Sequence, residues 1–280
     1  MSDPMQLAGE QHFSPMTISD ADFNRLVNFM QRNYGINLTQ KRQLITGRLS
    51  TSIRQRGYKD FSDFVDHLLT HKSEEEITLV LNKLTTNYTF FMREKDHLEY
   101  FQNHIIPELV RRHQRDKSLS IWSAGCSSGE EPYNISMYLF DYLGSHAKEW
   151  DTRILATDIS DQALSTAKRG IYELPDTIPE NWKRKYFVDN HNGTHTVAPA
   201  VKDNVIFRPF NLMNPIRFRR KFDLIFCRNV MIYFDQPTKD ALVQRFYDAT
   251  VPGGYLLISY SENLSAQTSY RRLAPATFIK

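Results

Sequence analysis

The chain has 280 residues, of which 41% are hydrophobic and 24% charged; these ordinary values exclude disordered, collagen-like and rod-like coiled-coil classes. At roughly 150 residues per domain the length allows about two domains, each able to bury a core. The formal net charge of +3 is too mild for a general nucleic-acid binder, so no nucleic acid is expected as a partner and any basic site must be local.

The opening MSDPMQLAGEQHFSP lacks an apolar h-region, and the longest stretch without Asp, Glu, Lys or Arg, Ala249 to Ser261, is thirteen residues broken by Pro252, Gly253 and Gly254. Neither a signal peptide nor membrane insertion is expected. Cys126 and Cys227 lie 101 residues apart without a CxxC. Neither a disulfide framework nor a zinc site follows; a reducing, cytoplasmic setting without metal fits.

Residues 17–84 read as a small all-helical domain. After a cap at Ser19 or Asp20, Phe23, Leu26, Val27 and Met30 recur at i, i+3, i+4 and i+7. Ile45, Leu49 and Ile53 stripe a second helix; Phe61, Phe64, Val65 and Leu68, then Ile77, Val80, Leu81 and Leu84, mark two more. Charge is sorted along this domain: Lys41, Arg42, Arg48, Arg54, Arg56 and Lys59 come with no acid among them, and Asp60, Asp63, Asp66 and Glu74 to Glu76 follow. At six-residue spacing Arg42, Arg48 and Arg54 form no single face of a helix. A solvated helix explains them as well as a binding surface does.

Residues 85–117 read as a linker and connecting helix, helical from Glu94 to about Arg115. Beyond, 118–280 alternates apolar strand-like runs at 119–124, 153–158, 204–210, 222–227 and 254–259 with helical patterns at 131–143, 160–169 and 238–250. That alternation predicts an α/β domain with an open, mainly parallel sheet. Between 183 and 205 it breaks, and the turn residues of KYFVDNHNGTHTVAP indicate an inserted antiparallel β-subdomain.

The first strand runs into Gly125-Cys126-Ser127-Ser128-Gly129-Glu130-Glu131-Pro132 and a helix, the strand, glycine loop, helix order of nucleotide-type cofactor sites. Glu130 and Glu131 at the helix start would repel a pyrophosphate, whereas a nucleoside cofactor with cationic groups and no phosphate is accommodated. S-adenosylmethionine is such a molecule. Asp158, ending the second strand 29 residues after Gly129, is placed to accept from ribose hydroxyls; a dinucleotide site would use about 20 residues and a strict GxGxxG. Asn211, Arg228, Asn229 and Tyr233 fall at or beyond strand ends on the same C-terminal edge.

Five segments, TTNYTFFMRE (85–94), WSAGCSSGEEPY (122–133), ATDIS (156–160), FNLM (210–213) and FDLIFCRNVMIYFDQ (222–236), together resemble the CheR-type chemoreceptor methyltransferases. The resemblance runs from about Phe23 to Leu264. It implies a small helical N-terminal domain, then a Rossmann-like class I methyltransferase domain with an inserted three-stranded β-subdomain. By matching positions it implies cofactor contacts from Asn87, Thr89, Arg93, Glu130, Glu131, Asp158, Asn211, Leu212, Arg228 and Asn229, with Arg93 and Tyr233 at the transfer centre. Arg42, Arg48 and Arg54 are the candidates for substrate binding. Two departures are visible: Ser259-Tyr260-Ser261-Glu262 replaces the usual Gly-His-Ser-Glu, and Thr51 and Ser52 stand where an arginine pair is common.

The activity so implied is methyl transfer from S-adenosylmethionine, with S-adenosylhomocysteine as product, to glutamate carboxylates on the cytoplasmic helical domain of methyl-accepting chemotaxis receptors. A receptor C-terminal peptide is a second implied partner, and a monomer is expected. Two other readings stay open: a non-catalytic adaptor that keeps the cofactor fold, and a methyltransferase for another acceptor such as nucleic acid.

Overall fold

The computed structural model describes residues 16–85 and 88–280. Within them the chain forms two compact units, one of residues 16–30 and 38–84, the other of 31–37 together with the chain from Thr85 onward.

The first unit is helical. Helix α1 (Asp20–Tyr34) starts at Ser19, whose hydroxyl accepts from the Asp22 amide at 3.1 Å and donates to the Asp22 carboxylate at 2.7 Å. Such a side chain satisfies amides that the first helical turn leaves unpaired. α2 (Arg42–Gln55) buries Ile45, Leu49 and Ile53, and α3 (Phe61–His71) is capped by Asp60, which accepts from the Asp63 amide at 2.9 Å. α4 (Glu74–Leu84) buries Val80, Leu81 and Leu84 as its periodicity predicts, but Glu76 is buried while Ile77 is half-buried. The Tyr58 hydroxyl donates to Glu76 Oε1 at 2.9 Å and Arg56 lies 3.6 Å from it, the partners a buried carboxylate requires.

The second unit opens with α5 (Lys95–Tyr100), which passes through a π-helical turn at Phe101–Ile105 into α6 (Ile106–Arg112). The expected linker, 85–117, is thereby core: Phe91, Leu98, Phe101, Ile105, Ile106 and Leu109 are all buried against the sheet domain. There follow β1 (Ile121–Ala124), α7 (Glu130–Leu143), β2 (Ile154–Asp158), α8 (Asp161–Arg169), β3 (Ile171–Tyr172), α9 (Glu180–Tyr186), β4 (Phe187–Asp189), β5 (His195–Val197), α10 (Pro199–Asp203), β6 (Val205–Pro209), β7 (Phe222–Cys227), α11 (Gln236–Ala249), β8 (Thr250–Ile258), β9 (Arg271–Ala274) and β10 (Thr277–Ile279).

The main sheet has the order β6-β2-β1-β7-β8-β10-β9. Its first five strands are parallel, in keeping with the five apolar runs, and β10 and β9 add an antiparallel edge. The chain steps outward from β1 to β2 and β6, then returns to β7 on the other side of β1. That reversal opens a crevice beyond the carboxyl ends of β1 and β7. On one face Ile121, Leu224 and Leu257 belong to a core with Leu109, Tyr133 and Leu139; elsewhere Trp122 packs edge-on against Phe210, Phe218 and Phe246. The second sheet, β3-β5-β4, is antiparallel. It begins at Ile171, upstream of the expected 183–205, because a two-residue strand is too short to show an alternating pattern. Among the described residues no helix is long and apolar enough to cross a membrane.

Candidate active site

β1 delivers the chain into a glycine loop whose shape is set by close approaches. Gly125 sits at φ +89°, where a Cβ would run into Val230; Gly129 sits at +99°, where one would lie 2.7 Å from Ala167 Cβ. Both conformations are open to glycine and costly for other residues. The loop is tied to β2: the Gly125 and Cys126 amides donate to the Thr157 carbonyl at 2.8 and 2.9 Å, and the Ser127 amide donates to Asp158 Oδ2 at 2.8 Å. The Ser160 amide donates to Asp158 Oδ1 at 2.9 Å. Burial pushes the Asp158 carboxyl up, and these backbone donors oppose the shift. Asp158 is therefore a loop-framing carboxylate as well as a wall of the site.

Above the loop lies a cavity of about 990 Å³, its open mouth included, a size suited to a small molecule. Ile159, Phe210, Leu212 and Phe234 make one part of it apolar; Glu131, Asn134, Arg93 and Arg228 supply polar groups, and Tyr88 stands at the exposed rim. Arg228 is buried and every nitrogen of its guanidinium is engaged. Nη1 donates to Glu131 Oε2 at 3.1 Å, Nη2 to the Arg93 carbonyl at 2.6 Å and to Glu94 Oε2 at 3.1 Å, and Nε to Glu94 Oε2 at 3.3 Å. Glu131 Oε1 accepts from the Ser123 hydroxyl at 2.7 Å. Burial works against the charge of Glu94, but His97, Arg228 and the Ser259 hydroxyl outweigh it and hold the carboxyl down at about 2. Glu262, buried beneath, accepts from the Ser259, Asn229 and Ile232 amides. A fully paired charge cluster of this kind fixes geometry.

The structure gathers Thr89, Arg93, Glu131, Asp158, Asn211, Leu212, Arg228, Asn229 and Tyr233 around this one cavity. Asn87 lies outside the described residues. Glu130 does not line the cavity: its Oε2 accepts from the Ser128 hydroxyl at 2.7 Å, it is buried beside Tyr172, and burial pushes its carboxyl up. One residue along α7 is a rotation of about 100°, enough to send neighbouring carboxylates to different sides. Arg228 reaches the cavity but its donors serve Glu131, Glu94 and the Arg93 carbonyl. Of the α2 arginines, Arg42 pairs with Asp20 at 2.6 Å, donates to the Ile18 carbonyl and covers the Phe23 ring, all within the first unit; Arg48 is exposed and donates to the Lys83 carbonyl at 3.1 Å, and Arg54 is half-buried. Three participants escaped the sequence reading. Glu94 ends a quoted segment yet had no role, and Tyr34 and Ile36 line the cavity from a part of the chain with no local signal for it.

The sequence from 21 to 85 matches the all-alpha domain of the CheR methyltransferases, and 87–279 matches their SAM binding domain. The chain belongs to the CheR methyltransferase family. It is 37% identical to the chemotaxis protein methyltransferase of Borreliella burgdorferi over 95% of this chain and 96% of that one. Identity to the chemotaxis protein methyltransferase of Escherichia coli is 36%, over 89% and 87% of the two chains. To chemotaxis protein methyltransferase Cher2 of Pseudomonas putida it is 33%, over 89% and 93%. The chain is a S-adenosylmethionine-dependent methyltransferase, and its cavity suits that cofactor. The carboxylates of Glu131 and Asp158 oppose phosphate and favour an ammonium and ribose hydroxyls, while Ile159, Phe210 and Leu212 offer an apolar bed for a base. Tyr260, where the CheR family usually has histidine, stacks its ring 5.2 Å from that of buried His97.

Proposed function

We propose that this CheR-family enzyme transfers the methyl group to glutamate side chains on the cytoplasmic helical domain of methyl-accepting chemotaxis receptors, giving glutamate methyl esters. The observation that carries the reading is what the cavity lacks: among the described residues that line it there is no histidine or lysine. A glutamate carboxyl, with a pKa near 4.3 in water, is ionised at pH 7 and attacks without a general base. The cofactor, when bound, supplies a methyl group activated by its sulfonium. Glu131, braced by Arg228 and Ser123, and Asp158, braced by two backbone amides, hold and orient it. Arg93, whose Nη1 donates to the Tyr88 carbonyl at 2.7 Å at the rim, is the cation suited to an incoming carboxylate, and Tyr233 orients it. The aromatic rim of Tyr88 and Phe90 limits water.

In this reading the enzyme acts as a cytoplasmic monomer. Arg48 and Arg54 on α2 face the acidic receptor surface, and the second sheet docks an extended receptor peptide. Its β3 and β4 are both edge strands, with Ile171 46% and Val188 54% exposed, the arrangement an added strand requires.

The test is incubation with methyl-labelled S-adenosylmethionine and receptor cytoplasmic fragments, followed by mild base. Release of labelled methanol supports a glutamate ester; a base-stable product moves the acceptor to nitrogen or nucleic acid. Cofactor binding without transfer to any acceptor restores the adaptor reading.

A further inference from the structure

The second unit includes residues 31–37, the last turn of α1 and the three residues after it, and fastens them at two places. On one side the Asn33 carbonyl accepts from Asn211 Nδ2 at 2.8 Å. On the other, Ile36 forms an antiparallel bridge with Phe234, the Asn37 amide donates to the Tyr233 carbonyl at 2.8 Å, and Gln31 Nε2 donates to Asp235 Oδ2 at 2.6 Å. Between these fastenings Tyr34 and Ile36 form part of the cavity wall.

The passage is tight at one point. Gly35 sits at φ +72°, and a Cβ there would lie 2.7 Å from Met213 Sδ, 3.1 Å from Thr238 Cγ2 and 3.2 Å from Phe234 Cδ1. A side chain would be disfavoured by the backbone and by the space together.

The two loops so joined hold different parts of the site. Asn211 follows β6 and Tyr233 follows β7, and in the sheet β2 and β1 stand between those strands. Ladder hydrogen bonds therefore do not hold one loop against the other. We infer that residues 33–37 are a positioning strap for methyl transfer. The strap keeps Asn211 and Tyr233 in register across the cavity, closes its wall with Tyr34 and Ile36, and depends on Gly35 for its close passage. The inference rests on the cavity being the cofactor site.

The experiment compares Gly35→Ala, Tyr34→Ala, Asp158→Asn and Gly57→Ala in the full chain. Gly57 also has positive φ, +85°, but nothing within 4 Å of a Cβ, so it carries the backbone penalty alone. Calorimetric titration with S-adenosylhomocysteine should show at least tenfold weaker binding for Gly35→Ala and several-fold weaker binding for Tyr34→Ala. Gly57→Ala should match wild type. The KM for S-adenosylmethionine should rise in parallel while the KM for the acceptor stays put, a split that plain destabilisation does not produce. Wild-type affinity in folded Gly35→Ala and Tyr34→Ala, with Asp158→Asn weakened, overturns the strap alone. Wild-type affinity in Asp158→Asn as well removes the cofactor site and the strap with it. Should Gly35→Ala fail to fold, Tyr34→Ala decides.

Discussion

Arg228 and the arginines of α2 use the same side chain in opposite ways. Arg228 is 6% exposed and has two carboxylates and a carbonyl around its guanidinium, so its charge is fully committed inside the protein. Arg48 is exposed and makes one contact to a carbonyl at 3.1 Å. A buried, bidentate arginine fixes the position of others at the cost of desolvation, whereas an exposed one contributes little to stability and retains its charge for an encounter. The difference separates residues that shape the reaction site from residues that can choose a partner, and it can be broken or sharpened by measurement.

The largest effect is expected from Arg228→Leu, which leaves Glu94 and Glu131 buried without their counter-charge. Urea unfolding should show a loss of about 3–5 kcal/mol, and a loss under about 1 kcal/mol would erase the contrast with α2. Next comes Arg93→Ala, expected to lower kcat about 100-fold through misplacement of the acceptor with a nearly unchanged melting temperature; Tyr233→Phe should act in the same direction and less. Equal turnover in both variants would remove them from the transfer centre. A smaller effect concerns pH. Because the Glu94 carboxyl is held at about 2 in the folded protein, below its unfolded value near 4.3, its stabilisation is present above about pH 4.3 and is lost as pH falls toward 2. Glu94→Gln should therefore flatten the acid limb of the stability profile, and an unaltered limb would show that the carboxyl is not depressed. Smallest for the fold is the double reversal Arg48→Glu with Arg54→Glu. Stability should change by no more than about 0.5 kcal/mol, while the KM for receptor rises and its salt dependence falls. If receptor kinetics at low salt are those of wild type, α2 is a solvated helix and nothing more.

The α/β frame was legible because parallel strands buried on both faces are continuous apolar runs: FDLIFC became β7 residue for residue. The strands that escaped were short or charged. β3 has two residues, and β9 shows Arg271 and Arg272 to solvent, which protects a sheet edge but hides its pattern. In the site, the motif positions converged on one cavity, yet their roles did not follow from motif alone. Glu130 and Glu131 are chemically identical neighbours, and only the count from the helix start sends one to the cavity and the other to Ser128. Arg42 was grouped with Arg48 by sequence, but Asp20 and Phe23, about twenty residues away, claim it. The wall formed by Tyr34 and Ile36 depends on contacts some two hundred residues distant, beyond any local periodicity.

The π-helical turn at Phe101–Ile105 bears on how this chain tolerates changes in length. A π turn holds one residue more than an α turn of the same rise, so it is in effect a single-residue insertion absorbed within a continuous helix. Removing one residue between 101 and 105 would leave a sound α-helix by every local criterion. It would also rotate everything upstream by about 100° relative to α6. His97 would swing off Thr277, 3.1 Å from its Nε2, and Glu94 would leave the Arg228 guanidinium. A deletion invisible to helix propensity would thus dismantle the site from a distance, and an insertion two turns away would not repair it.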